Sequence, residues 1–143
     1  GWSGINAKLQ IFDFDFFYFK DLDPTFDYYT PVIIGNNAFM EENPEVAKAF
    51  LAAVKKGYEF AAGNPAEAAQ ILIDSDDTGT LADEAALVKQ SQEYLSNEYI
   101  ADAESWGVID PARWDAFYQW LNENGLVEKE LPAGTGFTND SLQ

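Results

Sequence analysis

Residues 43–63 read NPEVAKAFLAAVKKGYEFAAG, and their spacing decides the architecture. Val46, Phe50, Val54, Tyr58 and Ala61 recur at steps of three and four, which places them on one face of a helix over 44–62. Lys48, Lys55, Lys56 and Glu59 fall largely on the other side and read as its solvated face. Asn43 is an N-cap residue type, and Pro44 suits a first turn whose N–H would be orphaned anyway. Glu45 lies near the positive end of the helix dipole. Gly63 ends the run, and Asn64-Pro65 opens the next helix with the same device. Glu67 stands where a capping box with Asn64 needs it.

Working outward, the pattern predicts further helices over 65–74, 81–99 and 111–124. The second of these gathers Leu81, Ala85, Val88, Leu95 and Tyr99 on one face. The third, opened by Asp110-Pro111 and ended by Gly125, gathers Trp114, Phe117, Tyr118 and Leu121. A short helix is expected from Ala38 to Glu42. Upstream the period changes. Residues 1–8 form a Gly-rich opening, and 9–19, LQIFDFDFFYF, alternate in part and favour an extended segment. Residues 20–27 turn around Pro24, and 28–34, YYTPVII, read as a strand with Pro31 at an edge or near its start. Residues 126–143 form an irregular tail whose Leu126, Leu131, Phe137 and Leu142 imply packing. The fold class expected is α/β and helix-rich. The sequences after the two Asn-Pro pairs do not match, so the pairs are shared punctuation and not a repeat.

The chain has 143 residues, enough for one domain with a core, and 47% of them are hydrophobic, too many for a disordered chain. No apolar run reaches membrane-spanning length. The formal charge of −17 repels nucleic acid and anionic membranes, so no nucleic-acid partner is expected. The acids are scattered, which fits a soluble exported surface. With no Cys and no His, this chain supplies no zinc site of the usual kind, no thiol nucleophile and no Ser-His-Asp triad. It opens on Gly1-Trp2-Ser3-Gly4 without a Met, as a piece of a longer protein would, and no signal peptide is visible.

Few motifs carry chemistry. Asp74-Ser75-Asp76-Asp77-Thr78-Gly79 resembles the start of a calcium loop, but position 12 of that pattern is Ala85, with Glu84 one place early. It reads as a solvated connection between helices, and no metal is expected. Carboxylate pairs of glycosidase type arise by chance among 25 acids. The polar aromatic group Trp2, Ser3, Tyr28, Tyr29 and Thr30 is the leading candidate for ligand contact. Rings can hold the faces of a flat heteroaromatic molecule while hydroxyls and the indole N–H meet its edge.

The stretch YYTPVIIGNNAFMEENPEVAKAFLAAVKKGYEFAAGNPAEAAQIL, followed by WGVIDPARWDAFYQWLNENGL and FTNDSL, resembles the C-terminal half of solute-binding proteins of ABC importers. The subfamily it looks most like binds thiamine-pyrimidine precursors, beside the sulfonate and nitrate binders. The resemblance covers essentially the whole chain. It implies the C-terminal portion of a two-lobe, type II periplasmic-binding-protein fold, with ligand held between the lobes. Residues 1–27 would end the second lobe and return to the hinge, 28–125 would complete the first lobe, and 126–143 would pack on it as a tail. The implied ligand is a small planar heteroaromatic molecule or organic anion, and no cofactor is implied. The implied partners are importer membrane subunits and a missing N-terminal half or another copy of the chain. The implied location is periplasmic or extracellular, as a membrane-anchored lipoprotein. The pyrimidine binders carry an acidic residue after the tryptophan, and Ser3 stands here instead, which leaves a neighbouring ligand class open. Two alternatives remain: a thiamine-pyrimidine synthase-like enzyme of the same fold, which needs an active-site His, and a helical protein-interaction module. If strands of an absent N-terminal part cover these helices, the chain alone must close its core by rearranged strands or by an apolar contact with another chain.

Overall fold

The Asn-Pro pairs shape the middle of the chain. A computed structural model describes residues 2–10 and 14–142, and among these the helices are α1 (Trp2–Leu9), α2 (Phe19–Leu22), α3 (Asn37–Glu42), α4 (Pro44–Gly63), α5 (Pro65–Asp74), α6 (Thr80–Asp83), α7 (Ala85–Ser96) and α8 (Pro111–Glu123). Single turns of 3-10 helix occur at Pro24–Phe26 and Asp140–Leu142. The expectation that Asn43 and Asn64 cap forward is corrected in one respect. Their side-chain amides point backwards, donating to the carbonyls of Phe39 and Phe60 at 3.2 and 3.1 Å. Asn64 makes no side-chain cap bond to α5, so the capping box with Glu67 does not form. Each asparagine thus closes the helix before it, while its own carbonyl accepts the first bonds of the helix after it. Proline, lacking an N–H, starts that next helix without leaving a donor orphaned.

The helices over 44–62, 65–74 and 111–124 stand where the sequence places them. The one expected over 81–99 is broken at Glu84, whose φ of −103° and ψ of 22° leave the helical region, and it ends at Ser96. Its apolar face survives the break, since Leu81 and Ala85 both pack against the cluster of Ala69, Ile73 and Val88. Periodicity reports which side is buried, not whether every ladder bond is made. The Gly-rich opening is helical from Trp2, because a single Gly4 costs only about 1 kcal/mol against a helix whose Ile5 and Ala7 are half-buried.

No strand forms among the described residues. Of the segment expected to be extended over 9–19, residues 11–13 lie outside the described residues, Leu9 ends α1 and Phe19 begins α2. Residues 14–18 and 28–34 are non-helical and belong to no strand. A strand is stabilised by a neighbour's backbone groups, and among the described residues no partner strand supplies them. For the described residues the α/β expectation therefore becomes a helix-rich architecture, and the core is not closed by rearranged strands.

The chain divides into two compact units. The first comprises residues 1–15 and 52–106. In it α5 and α1 pack on α7, and the core is Ala69, Ile73 and Val88, flanked by Leu81 and Ala85. The second comprises residues 16–51 and 107–143, where α8 packs on the turn at Pro24–Phe26. Its tail lies along α8. Asn122 exchanges two hydrogen bonds with the Leu131 backbone at 2.9 Å each, and the Trp114 indole donates to the Thr135 carbonyl at 3.0 Å. The face read from the central helix is only partly covered, with Val46 and Phe50 each 56% exposed.

At Gly136 the tail passes close to α8. The glycine's φ is +84°, and a Cβ there would run into the Tyr118 hydroxyl. Gly136→Ala should therefore destabilise the chain by about 1–3 kcal/mol through backbone strain alone. Urea denaturation checks it: the midpoint falls while the slope stays unchanged.

Candidate functional site

The aromatic face of α8 is placed by its first turn. The Asp110 carboxylate accepts from the backbone N–H groups of Ala112 and Arg113 at 2.7 and 3.1 Å. That fixes where α8 begins, and hence which side Trp114, Phe117, Tyr118 and Leu121 present. Residues 26–29 lie against that side. Tyr28 stacks on Phe117 with ring centroids 3.9 Å apart and planes 10° from parallel. Phe117 in turn is parallel to Trp120 at 6.0 Å, and Phe26 meets Trp120 edge-on at 5.1 Å. Tyr29 lies 6.4 Å from Trp114, and its hydroxyl oxygen accepts from the Asp110 N–H at 2.9 Å.

Arg113, the single arginine of the chain, ties this arrangement together. Its guanidinium lies 4.6 Å from the Tyr29 ring centroid, and one terminal nitrogen is 2.9 Å from the Asp27 carboxylate. Its Nε donates to the Asp27 backbone carbonyl. Lys20 stands 3.9 Å from the same carboxylate, and an open depression beside it is lined by Lys20, Asp21, Thr25, Asp27 and Arg113, with Pro24 and Ala116. Asp23 accepts from the Thr25 N–H at 2.9 Å, and the hydrogen bonds from Thr25 hold its carboxyl below the usual range. The local chemistry offers flat apolar faces next to paired charges.

The first unit carries its own aromatic group. Tyr58 of α4 stacks on Trp106 at 4.8 Å and meets Tyr99 edge-on at 4.9 Å. The Tyr99 hydroxyl donates to Gln92, and burial raises its pKa above the ordinary phenol value. Val54, Gly57 and Ala61 complete a shallow apolar groove with the two tyrosines.

Comparison with known proteins adds to this geometry. Residues 1–68 match the family model described as NMT1/THI5 like. A formylaminopyrimidine-binding protein of Halalkalibacterium halodurans is 29% identical over 128 residues, which are 87% of this chain and 38% of that protein. The first 68 of the chain's 143 residues are thus similar to the NMT1/THI5-like family. The chain spans well under half the length of that relative.

All five candidate residues fall within the stretch that matches the NMT1/THI5-like model. Trp2 and Ser3 are exposed on α1 in the first unit, while Tyr28, Tyr29 and Thr30 belong to the second. The second unit gives its two tyrosines different tasks. Tyr29 has its ring covered by Arg113 and its hydroxyl engaged by Asp110, whereas Tyr28 keeps 39% of its surface exposed. Sequence reading missed Asp27, Arg113 and Phe117. The available signal was the lone arginine one position before an aromatic helix face, three residues after a cap.

The calcium-like loop serves a helix instead. Asp76 accepts from the Thr78 N–H and hydroxyl at 3.0 and 2.6 Å and from the Leu81 N–H at 2.7 Å. Gly79, at a φ of 76°, lets the chain turn into α6. Among the described residues no group of three or more acidic side chains is arranged to hold a metal.

Two outcomes follow. The Leu81 N–H, then Thr78, lower the Asp76 pKa, so this carboxylate stabilises the fold above the ordinary carboxylate range and loses that effect as pH falls through its depressed value. Asp76→Ala should lower Tm at neutral pH, and its deficit against the native chain should close in strong acid, as a calorimetric pH series would read. Tyr29→Phe removes an acceptor from the Asp110 N–H and should cost about 0.5–1.5 kcal/mol in chemical denaturation.

Proposed function

We propose that the chain is the later part of a longer, non-catalytic solute-binding protein that captures a small planar heteroaromatic ligand. The observation that carries this is its likeness to a formylaminopyrimidine-binding protein across most of its own length. The half-exposed Tyr28 ring, backed by Phe117, supports the same reading, because a rigidly backed ring is a ready platform for a flat heterocycle. Thr30 beside it is exposed and offers a hydroxyl to the ligand edge. Trp2 and Ser3 remain candidate ligand contacts on the family resemblance alone.

In this reading the full protein has the two-lobe, type II periplasmic-binding architecture. Residues 1–27 finish the second lobe, 28–125 complete the first, and 126–143 pack on that lobe. It hands its ligand to the membrane subunits of an ABC importer from an extracytoplasmic position, anchored as a lipoprotein. Among the described residues no helix is long and apolar enough to cross a membrane. Ligand capture stabilises the closed form by its additional contacts there.

A thermal-shift panel on the full-length parent tests this. A formylaminopyrimidine present at about one hundred times its Kd should add roughly 2.7 kcal/mol of stability, while nitrate and simple sulfonates add none. Trp2→Ala and Tyr28→Ala should each erode the shift. A panel in which no heteroaromatic compound moves Tm would end the reading. A shift that survives Trp2→Ala intact would remove Trp2 from the site.

A further inference from the structure

We infer that Arg113 is the positioning residue that sets the Tyr28 ring on α8, through its bonds to Asp27 and its cation–π contact with Tyr29. The inference rests on the reading of Tyr28 as a ligand-facing ring and adds the residue that determines its placement. Residues 27–30 belong to neither helix nor strand, so no backbone ladder fixes their register. Side chains do it instead. On one side of Tyr28, Asp27 is held twice by Arg113: its carbonyl by Nε and its carboxylate by a terminal nitrogen at 2.9 Å. On the other side, Tyr29 is held by the guanidinium at 4.6 Å from its ring and by the Asp110 N–H on its hydroxyl. Tyr28 therefore sits between two anchored neighbours, and its ring meets Phe117, one helical turn after Arg113.

The geometry needs an arginine. One group donates from two nitrogens to Asp27 while its carbon lies over the Tyr29 ring, and a lysine ammonium supplies charge but neither the fork nor the planar shape. Asp110 contributes by setting the first turn of α8, from which Arg113 projects.

The test compares Arg113→Lys, Arg113→Ala and Tyr28→Leu. Far-UV circular dichroism of the 143-residue chain reports whether the helices persist, and near-UV circular dichroism reports the stacked rings. Tyr28→Leu defines the signal that belongs to the stack. Arg113→Lys should keep the helices and lose most of that same signal. In the full-length parent it should weaken formylaminopyrimidine binding by roughly five- to thirty-fold. A near-UV spectrum unchanged by Arg113→Lys would overturn the inference. Should Arg113→Ala fail to fold, Asp27→Asn replaces it: this variant keeps the carbonyl and removes the charge, and it should reproduce part of the loss. If the parent binds no formylaminopyrimidine, the functional reading falls, and the near-UV comparison still decides whether Arg113 places Tyr28.

Discussion

Scarcity of cover is the constraint on which the rest depends. Among the described residues the buried apolar side chains are Ala47, Ala69, Ile73, Leu87, Val88 and Trp106, and all but Trp106 are alanines or belong to the α5–α7 pair. Meanwhile Phe17, Phe19, Leu22 and Ile34 are each more than three-fifths exposed. A core of that size fixes few segments by burial. Location is instead set by hydrogen bonds between side chains and backbone, which are directional and act over one or two turns. Asn43, Asn64 and Asn124 show the economy of this. Each gives both its backbone N–H and its side-chain amide to the carbonyl four residues earlier, so a helix end that would expose a carbonyl is closed by a single residue.

The acidity of the chain takes on a structural meaning in the same light. Asp23, Asp76 and Asp110 each accept a backbone N–H where a turn or helix begins. Asp115 accepts from the Gly134 N–H at 2.8 Å and so ties the tail to α8. A negative charge at these points meets unsatisfied N–H groups and the positive end of the helix dipole. Part of the surplus of acids therefore defines the starts of segments, beyond keeping the surface soluble.

What could be read in the sequence follows from the same division. Helices α4, α5 and α8 were legible because proline, glycine and a three-to-four period agree in each. The break at Glu84 was not legible, since Leu81 and Ala85 keep the apolar face continuous through it. The direction in which Asn43 and Asn64 point was not legible either, because an asparagine offers both a donor and an acceptor and the helices on both sides need one. The strand expected over 28–34 failed for a different reason: its composition suits a sheet, and the described residues hold no partner for it. Residue identity reports what a segment can do, and pairing depends on what lies beside it.

The same distinction separates the two adjacent tyrosines. As a dipeptide, Tyr28-Tyr29 offers two equivalent rings. Arg113 breaks the equivalence by covering the ring of Tyr29 while Asp110 occupies its hydroxyl. The ring and the hydroxyl oxygen of Tyr29 are thereby both engaged inside the chain. Tyr28 gives one face to Phe117 and retains exposed surface, so its contact with the protein stiffens the ring without consuming it. A ring that is backed and still exposed loses little further freedom when a flat molecule settles on it, and that lowers the entropic cost of binding. The residue best suited to a ligand is thus identified by what its neighbour has already given up.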